Sequence, residues 1–560
     1  MEIRRTFSAL LPLLLVGMVG CGPDEPSTPR EAKESPRPRS LEVVFTYGSE
    51  KEKWIEAMTE EFHRARPTLA NGKAFHITPI AMGSGECVDE VLNRKRETHL
   101  ISPASSVFIS LGNADSQAAL GRNLVADTDD LVLSPVVIAM WKPMAEALGW
   151  PSSPIGWKEI HEMALDPQGW ASRGLPQWGR FRFGHTHPEY SNSGIISLIA
   201  ETYAAAGKSR DLTLADIENP ATGTYLEEIE KAIVHYGRST GFFGRKMFST
   251  GPEYLSAAVL YENMVIESYE KTDLPFPVVA IYPKEGTFYS DHPIGIVDRD
   301  YVTQEHKEAA AQYIEFLLAE EQQVRAMEFG FRPADVTLAL SDDFSPAKGV
   351  DSQQPQTTLE VPEVPVTKAI LDLWHERKKK ANVALVLDVS GSMKEEGKMA
   401  SARNGAVEMI SMLGEHDQFS LLAFNQKPIW VQQNLEVGTH REEARQKIQS
   451  LFANGGTALY DAISQAHHFL AQGDFSEKIT AIVVLSDGSD QNSEMALSPL
   501  IEQIRSDGEE SGGIRVFTIG YGSGARSDIL EQIAGVTQAK YYEGSTANIE
   551  KIFKEISTFF

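Results

Sequence analysis

At 560 residues, 42% hydrophobic and 9% aromatic, the chain is too long for one ordinary core and too apolar for a disordered polymer; length alone predicts about three domains. A formal net charge of −26 argues against nucleic acid as a partner, because a phosphate backbone is held by clustered Lys and Arg, and against flat docking on anionic lipid. Of the two cysteines, Cys21 and Cys87, the first lies in a targeting segment, which leaves Cys87 alone and the processed chain without an internal disulfide.

The N-terminus carries Arg4 and Arg5, then an apolar run from Phe7 to Met18. That run is shorter than the roughly 20 residues of a membrane span and has the length of a signal-peptide core. It ends Met18-Val19-Gly20-Cys21, which resembles the bacterial lipobox, with Met where Leu is usual. The resemblance implies a signal peptide over residues 1–20 and lipidation of Cys21. It places the folded part in the cell envelope, outside the cytoplasmic membrane. Gly22 stands where many Gram-negative lipoproteins carry the Asp that retains them at the inner membrane, which favours the outer membrane. Residues 21–40 are rich in Pro, Ser and charge and predict a flexible tether.

Ordered sequence begins at Leu41. LEVVFTY predicts a strand closed by Gly48-Ser49, and Trp54, Ile55, Met58 and Phe62 fall at helical spacing. Phe75 to Met82 predicts a strand ending at Gly83-Ser84-Gly85, and Val88, Val91 and Leu92 suit the next helix. Strand, Gly/Ser turn, helix is the pattern of an α/β sheet. Six passages in order (ISPASS from Ile101, LSPVVIAM from Leu133, FGHTHPEYSNSG from Phe183, VLYENMVIES from Val259, YPKEGTFYSDHP from Tyr282, GFRPA from Gly330) resemble bacterial extracellular solute-binding proteins related to molybdate binders. The resemblance covers residues 41–340. It implies two α/β lobes joined by crossing strands, with a cleft for a small solute or anion.

Turns after parallel strands present backbone N–H groups at helix N-termini, where an anion is favoured. Ser49, Ser84, Ser105, Ser106, Ser191 and Ser193 sit at such turns and are either cleft donors or ordinary N-caps. Glu262, with Asn263, falls where the family often places polar cleft residues, or else on an exposed helix face. His185 and His187 could hold a metal, or form a packed, hydrogen-bonded pair. Cys87 stands at a helix start that would lower its pKa, or is a buried inert thiol.

Residues 341–366 are poor in large apolar side chains and rich in Pro, Gln and Ser, predicting a linker or an extended surface wrap. A helix with Ile370, Leu371 and Trp374 on one face follows, and residues 341–380 join the two modules. The basic run Lys378-Lys379-Lys380 suits a helix C-terminus.

From 381 to 560 the pattern repeats. VALVL at Val383–Leu387 reads as a central strand buried on both faces and leads into Asp388-Val389-Ser390-Gly391-Ser392. Further strands are expected at Phe419–Phe424, Thr480–Leu485 and Ile514–Ile519, with helices between, giving a doubly wound sheet. Three polar loops would meet at the carboxyl ends of its strands: DVSGS, Gly455-Gly456-Thr457 and Ser486-Asp487-Gly488. Their donors are all oxygen, a set that selects Mg²⁺, Mn²⁺ or Ca²⁺ over zinc. The set Asp388, Ser390, Ser392, Thr457, Asp487 resembles the metal-ion-dependent adhesion site of the von Willebrand factor type A family. The resemblance implies hydroxyl ligation by Ser390, Ser392 and Thr457, and action of Asp388 and Asp487 often through water. It also implies an open position that an acidic residue of a protein partner completes, with Mg²⁺ the expected ion. Asp461 and Asp490 lie near enough in sequence to tune the local field, or are solvated surface carboxylates.

The expected fold is thus a two-lobed α/β region followed by a doubly wound, mostly parallel domain. With no nucleophile–base pair, no P-loop lysine and no second metal cluster in the sequence, the expected role is binding rather than catalysis. The expected molecule is an envelope lipoprotein that holds an acidic protein partner, with tuning of that contact by a captured solute as an added hypothesis. The alternatives are a transport component docked by its C-terminal domain, and a metal-dependent hydrolase.

Overall fold

A computed structural model describes residues 40–473, 478–505, 513–522, 524–537 and 539–560. The signal segment, Cys21 and the tether through residue 39 lie outside the described residues. Among the described residues no helix is long and apolar enough to cross a membrane.

The first lobe is a five-stranded sheet in the order Phe75–Met82, Leu41–Gly48, Leu100–Ser102, Pro293–Ile296, Asp129–Asp130. Its first three strands are parallel, and Pro293–Ile296 runs against them. The predicted stripe of Trp54, Ile55, Met58 and Phe62 on helix Glu52–Arg64 is buried against this sheet with Val43, Phe45 and Ile77.

The second lobe is built on Val132–Trp141, which pairs with Ala257–Tyr261, Val278–Ile281, Tyr289–Ser290 and Arg332–Pro333. Phe183–Gly184 extends the sheet beyond Ala257–Tyr261. The chain passes from one lobe to the other directly after Asp130, back between Ser290 and Pro293, and once more before Arg332. These passages are the expected crossing strands, and the residues beside them face both lobes.

Residues 341–363 wrap the second lobe rather than swing free. Gly349 O accepts from the Ala280 amide at 2.8 Å, and Leu359 N donates to Thr287 O at 2.8 Å. Phe344, Val350 and Leu359 supply enough buried apolar surface to hold the strap down. Helix Val364–Arg377 then packs Ile370 and Trp374 on the second lobe.

The expected role of the basic run holds for Lys380, whose ammonium donates to the Glu376 carbonyl in the last turn of the helix at 2.7 Å, and is corrected for Lys378. Lys378 lies just past the helix and is buried, its ammonium donating to Asp417 Oδ2 (3.3 Å) and to the main-chain oxygen of Phe560 (2.7 Å). Lys380 already opens the next strand.

The C-terminal sheet has six strands in the order Pro428–Glu436, Gln418–Phe424, Lys380–Asp388, Lys478–Ser486, Arg515–Tyr521, Tyr541–Gly544. All neighbours are parallel except the outermost pair, Gln418–Phe424 with Pro428–Glu436. Val383 to Leu387 is fully buried in the middle, as its unbroken apolar run predicts. One continuous apolar core takes in the second lobe, Trp374 and one face of this sheet. Leu41–Phe560 therefore forms one compact unit.

Candidate metal-ion-dependent adhesion site and interlobe cleft

Strand Lys380–Asp388 ends at the first polar loop, and its neighbour Lys478–Ser486 ends at the third. Parallel pairing brings both ends to one edge of the sheet. Asp388 is fully buried; its Oδ1 accepts from the Ser390 amide (2.8 Å) and its Oδ2 from the Ser486 hydroxyl (2.7 Å). The hydroxyls of Ser390 and Ser392 lie 3.0 Å apart, and Ser392 donates to Asp487 Oδ1 at 2.7 Å.

The second loop joins through main-chain bonds. The Gly391 amide donates to Gly455 O (2.9 Å), and the amides of Gln491 and Asn492 donate to Thr457 O (2.8 and 3.0 Å). A Cβ on Gly488 would lie 4.0 Å from Thr457 Oγ1. The five predicted residues thus share one edge of the sheet, and four of them are buried.

Asp461 and Asp490 are half-buried and hydrogen-bonded rather than simply solvated. Asp461 accepts from the amides of Glu494 (2.9 Å) and Met495 (3.0 Å), and Asp490 from the Leu459 amide (2.8 Å). They tie the second and third loops together.

One residue of this site escaped the sequence reading. Lys398 opens helix Lys398–Met412 and donates to Asp487 Oδ2 at 2.8 Å. Burial lifts the Asp388 carboxyl to about 6, against the bonds from Ser390 and Ser486 and with a small contribution from Asp487. Two buried carboxylates among hydroxyls demand positive charge, and Lys398 supplies part of it. The donor set fits a hard divalent cation, being all oxygen, of low charge and without His or Cys.

Between the lobes the hydroxyls of five of the six predicted serines are drawn into protein contacts. Ser49 Oγ donates to Ser239 Oγ (2.8 Å) across the cleft and accepts from the Gly241 amide (3.1 Å). Ser84 Oγ accepts from Ala104 N, and Ser105 caps helix Ser106–Leu120 through the Val107 amide. The Ser106 amide is held by Asp291 Oδ1. Ser191 and Ser193 belong to a hydroxyl chain with Thr240 and Thr186, at 2.8–3.1 Å.

Glu262 is no exposed helix residue. It is fully buried in a bidentate pair with Arg332 (2.8 and 2.7 Å), with the Tyr282 hydroxyl also bonded to it. Asn263 is buried too, bonded to Ser134.

The sequence reading also missed Glu50, Lys51 and His292, which meet inside the closed cleft. Lys51 Nζ lies 2.8 Å from Glu50 Oε1 and 3.1 Å from His292 Nδ1, with all three side chains buried. Burial opposes the Glu50 charge, but Lys51 and His292 hold that carboxyl down at about 2. No signal in Gly48-Ser49-Glu50-Lys51 marks these residues, because the segment reads as an exposed helix start.

Residues 43–332, more than half of the chain, match the family described as bacterial extracellular solute-binding protein. The chain belongs to that family. Residues 382–555 match the von Willebrand factor type A domain, so this solute-binding protein carries a type A domain behind its two lobes.

An uncharacterized protein of Synechocystis is 28% identical over 40% of this chain and 49% of its own length. An inter-alpha-trypsin inhibitor heavy chain of Sus scrofa is 27% identical over 31% of this chain and 20% of its own. The solute-binding protein thus spans at most about half the length of these relatives. Among solved structures, a periplasmic thiamin binding protein is 14% identical with TM-score 0.44, over 61% of this chain and 97% of that one. A von Willebrand factor type A protein from Catenulispora acidiphila is 22% identical with TM-score 0.29, over 32% of this chain and 42% of that one.

In this solute-binding protein His185 and His187 are a packed pair. His185 is hydrogen-bonded to Thr186 O (2.8 Å) and Glu230 Oε1 (3.2 Å), and His187 packs edge-on against Trp374. Cys87 is fully buried, and burial pushes its thiol up rather than down.

Proposed function

We propose that this chain is a cell-envelope lipoprotein, anchored through Cys21, whose type A domain binds an acidic protein partner through a divalent cation. Asp388, Ser390, Ser392, Thr457 and Asp487 would hold the ion, with Mg²⁺ favoured. When bound, the ion would supply an electrophilic centre for a carboxylate of the partner. What supports the reading is the bonded set Asp388–Ser390–Ser392–Asp487, joined through main-chain bonds to the loop of Thr457. Binding, not turnover, is the proposed role.

The test is capture of partners from membrane extract by the protein in Mg²⁺, in EDTA, and as Asp388→Ala. A partner retained only by wild type in Mg²⁺ is the expected result. Equal capture in all three would sink the proposal.

A second expectation concerns Lys398. Its ammonium competes with a bound cation for Asp487, so Lys398→Met is expected to tighten Mg²⁺ binding about tenfold in titration calorimetry. Weaker binding by this variant would mean that Lys398 builds the site rather than competing for it.

Family membership of residues 43–332 favours a second reading, in which the lobes take up a small solute for transport and the type A domain docks the complex. Binding of one solute together with metal-independent capture of a membrane permease would favour it.

A further inference from the structure

The last helix of the type A domain, Ile549–Ser557, lies across the boundary between the two lobes. Lys554 Nζ is 2.8 Å from Asp89 Oδ2 on helix Ser84–Leu92 of the first lobe and sits over the ring of Tyr190 in the second. Glu555 Oε2 is 2.9 Å from Arg238 of the second lobe, and the same guanidinium holds Glu86 of the first at 2.5 Å. Asp89 and Glu555 have further partners in Lys95 (3.5 Å) and Lys540 (2.8 Å).

Just beyond the helix, Phe559 stacks flat on His235 of the second lobe (3.8 Å, 4°) and its carbonyl accepts from the Tyr236 amide. The helix is fixed within its own domain as well. Gly405 on helix Lys398–Met412 lets Phe553 come so close that a Cβ there would be 2.4 Å from the ring.

The lobes beneath are shut tightly. The Gly85 amide of the first lobe donates to Tyr190 O of the second at 3.0 Å. A Cβ on Gly85 would fall 1.9 Å from Glu189 O, and one on Gly241 would fall 2.5 Å from Ser49 O. Only residues without a side chain permit this approach.

We propose that helix Ile549–Ser557 is a latch that holds the two lobes shut, so that the solute cleft opens only when the type A domain releases one of them. The contacts to Asp89 and Arg238 belong to the closed arrangement, because each lobe carries one of them and the helix is rigid. Lobe separation breaks at least one set. The latch rests on the lobe architecture and is independent of whether the adhesion site holds a metal.

Hydrogen exchange on the full chain tests it. The Gly85 and Gly241 amides bond across the cleft and report closure, whereas strands Leu41–Gly48 and Ala257–Tyr261 report the integrity of each lobe. In Lys554→Ala/Glu555→Ala, exchange at Gly85 and Gly241 is expected to rise at least tenfold while both strands stay protected. Unchanged exchange at the two glycines would overturn the latch. Should the strands also lose protection, the swap Asp89→Lys with Lys554→Glu decides. Recovery of wild-type protection at the glycines supports the latch, and failure to recover overturns it.

Discussion

Exchanging Arg332 for methionine is expected to lower the stability of the two-lobed region by about 3–5 kcal/mol. Arg332 holds Glu262 with two hydrogen bonds, and the Glu262 carboxylate is fully buried. Methionine keeps the aliphatic bulk and removes the charge, so the loss falls on the stranded carboxylate rather than on packing. The same guanidinium also donates to the carbonyl of Gln354 at 2.9 Å, which ties the wrapping strap to strand Arg332–Pro333. Urea unfolding of the full chain, followed through exchange of the strand Val132–Trp141, isolates this region from the type A domain. The double variant Arg332→Met/Glu262→Gln should recover part of the loss, since the orphaned charge goes with its partner. A double variant no more stable than the single would mean that the pair does not act as a unit.

The second large effect has the opposite sign. Glu201 is buried in helix Asn192–Ala206, with only the Ser197 hydroxyl donating to it and its second oxygen without a hydrogen-bond partner among the described residues. Burial is the main cause that lifts its carboxyl to about 8; His185 nearby works against this and Glu230 with it. An acid whose folded pKa lies above its unfolded value binds more protons when folded. Its contribution is therefore complete below about pH 4.5 and is lost as the pH climbs to about 8. Across that window the loss is on the order of 4 kcal/mol. Glu201→Gln is expected to abolish this slope and make the protein more stable than wild type at pH 8, with little difference at pH 4.5. Parallel pH–stability curves for the two proteins would show that Glu201 ionises freely in the fold.

The three polar loops of the type A domain were legible because each consists of short-range signals. In the first and third a buried strand, an oxygen-rich turn and a helix start sit within about a dozen residues, and parallel pairing brings them together; the second, between helices Val437–Gln449 and Leu459–Leu470, shows as a Gly-Gly-Thr turn before a helix start. The outer strand Pro428–Glu436 was not legible: its side chains are mostly half-buried or exposed and lack the run of apolar residues that marks a central strand. Tyr541–Gly544 was missed for the same reason, being a short edge strand.

In the lobes the turns were read correctly and their chemistry less so. Ser105 is an N-cap, Ser106 is held through its amide, and the hydroxyls of Ser49, Ser84, Ser191 and Ser193 bond to other protein groups. Which hydroxyl meets which depends on how two separately folded sheets come together, and local sequence holds no record of that. Lys51 and Lys398 show the limit most plainly. Each sits in a charged stretch that resembles solvent-facing helix, yet Lys51 is buried between its neighbour Glu50 and the distant His292, and Lys398 is half-buried against the distant Asp487.

The Lys378 bridge bears on how the molecule could be taken apart. Asp417 relies on that ammonium from outside the sheet, while its other carboxylate oxygen accepts from the Ala381 amide at the sheet's first strand. A fragment cut at Ala381, where the sequence places the domain boundary, would keep the buried carboxylate and discard its counter-charge. A fragment beginning at Val364 would keep both. Proteolysis in the native state should accordingly spare the segment from Val364 to Lys380, and a stable C-terminal piece, if one is released, should carry that helix with it.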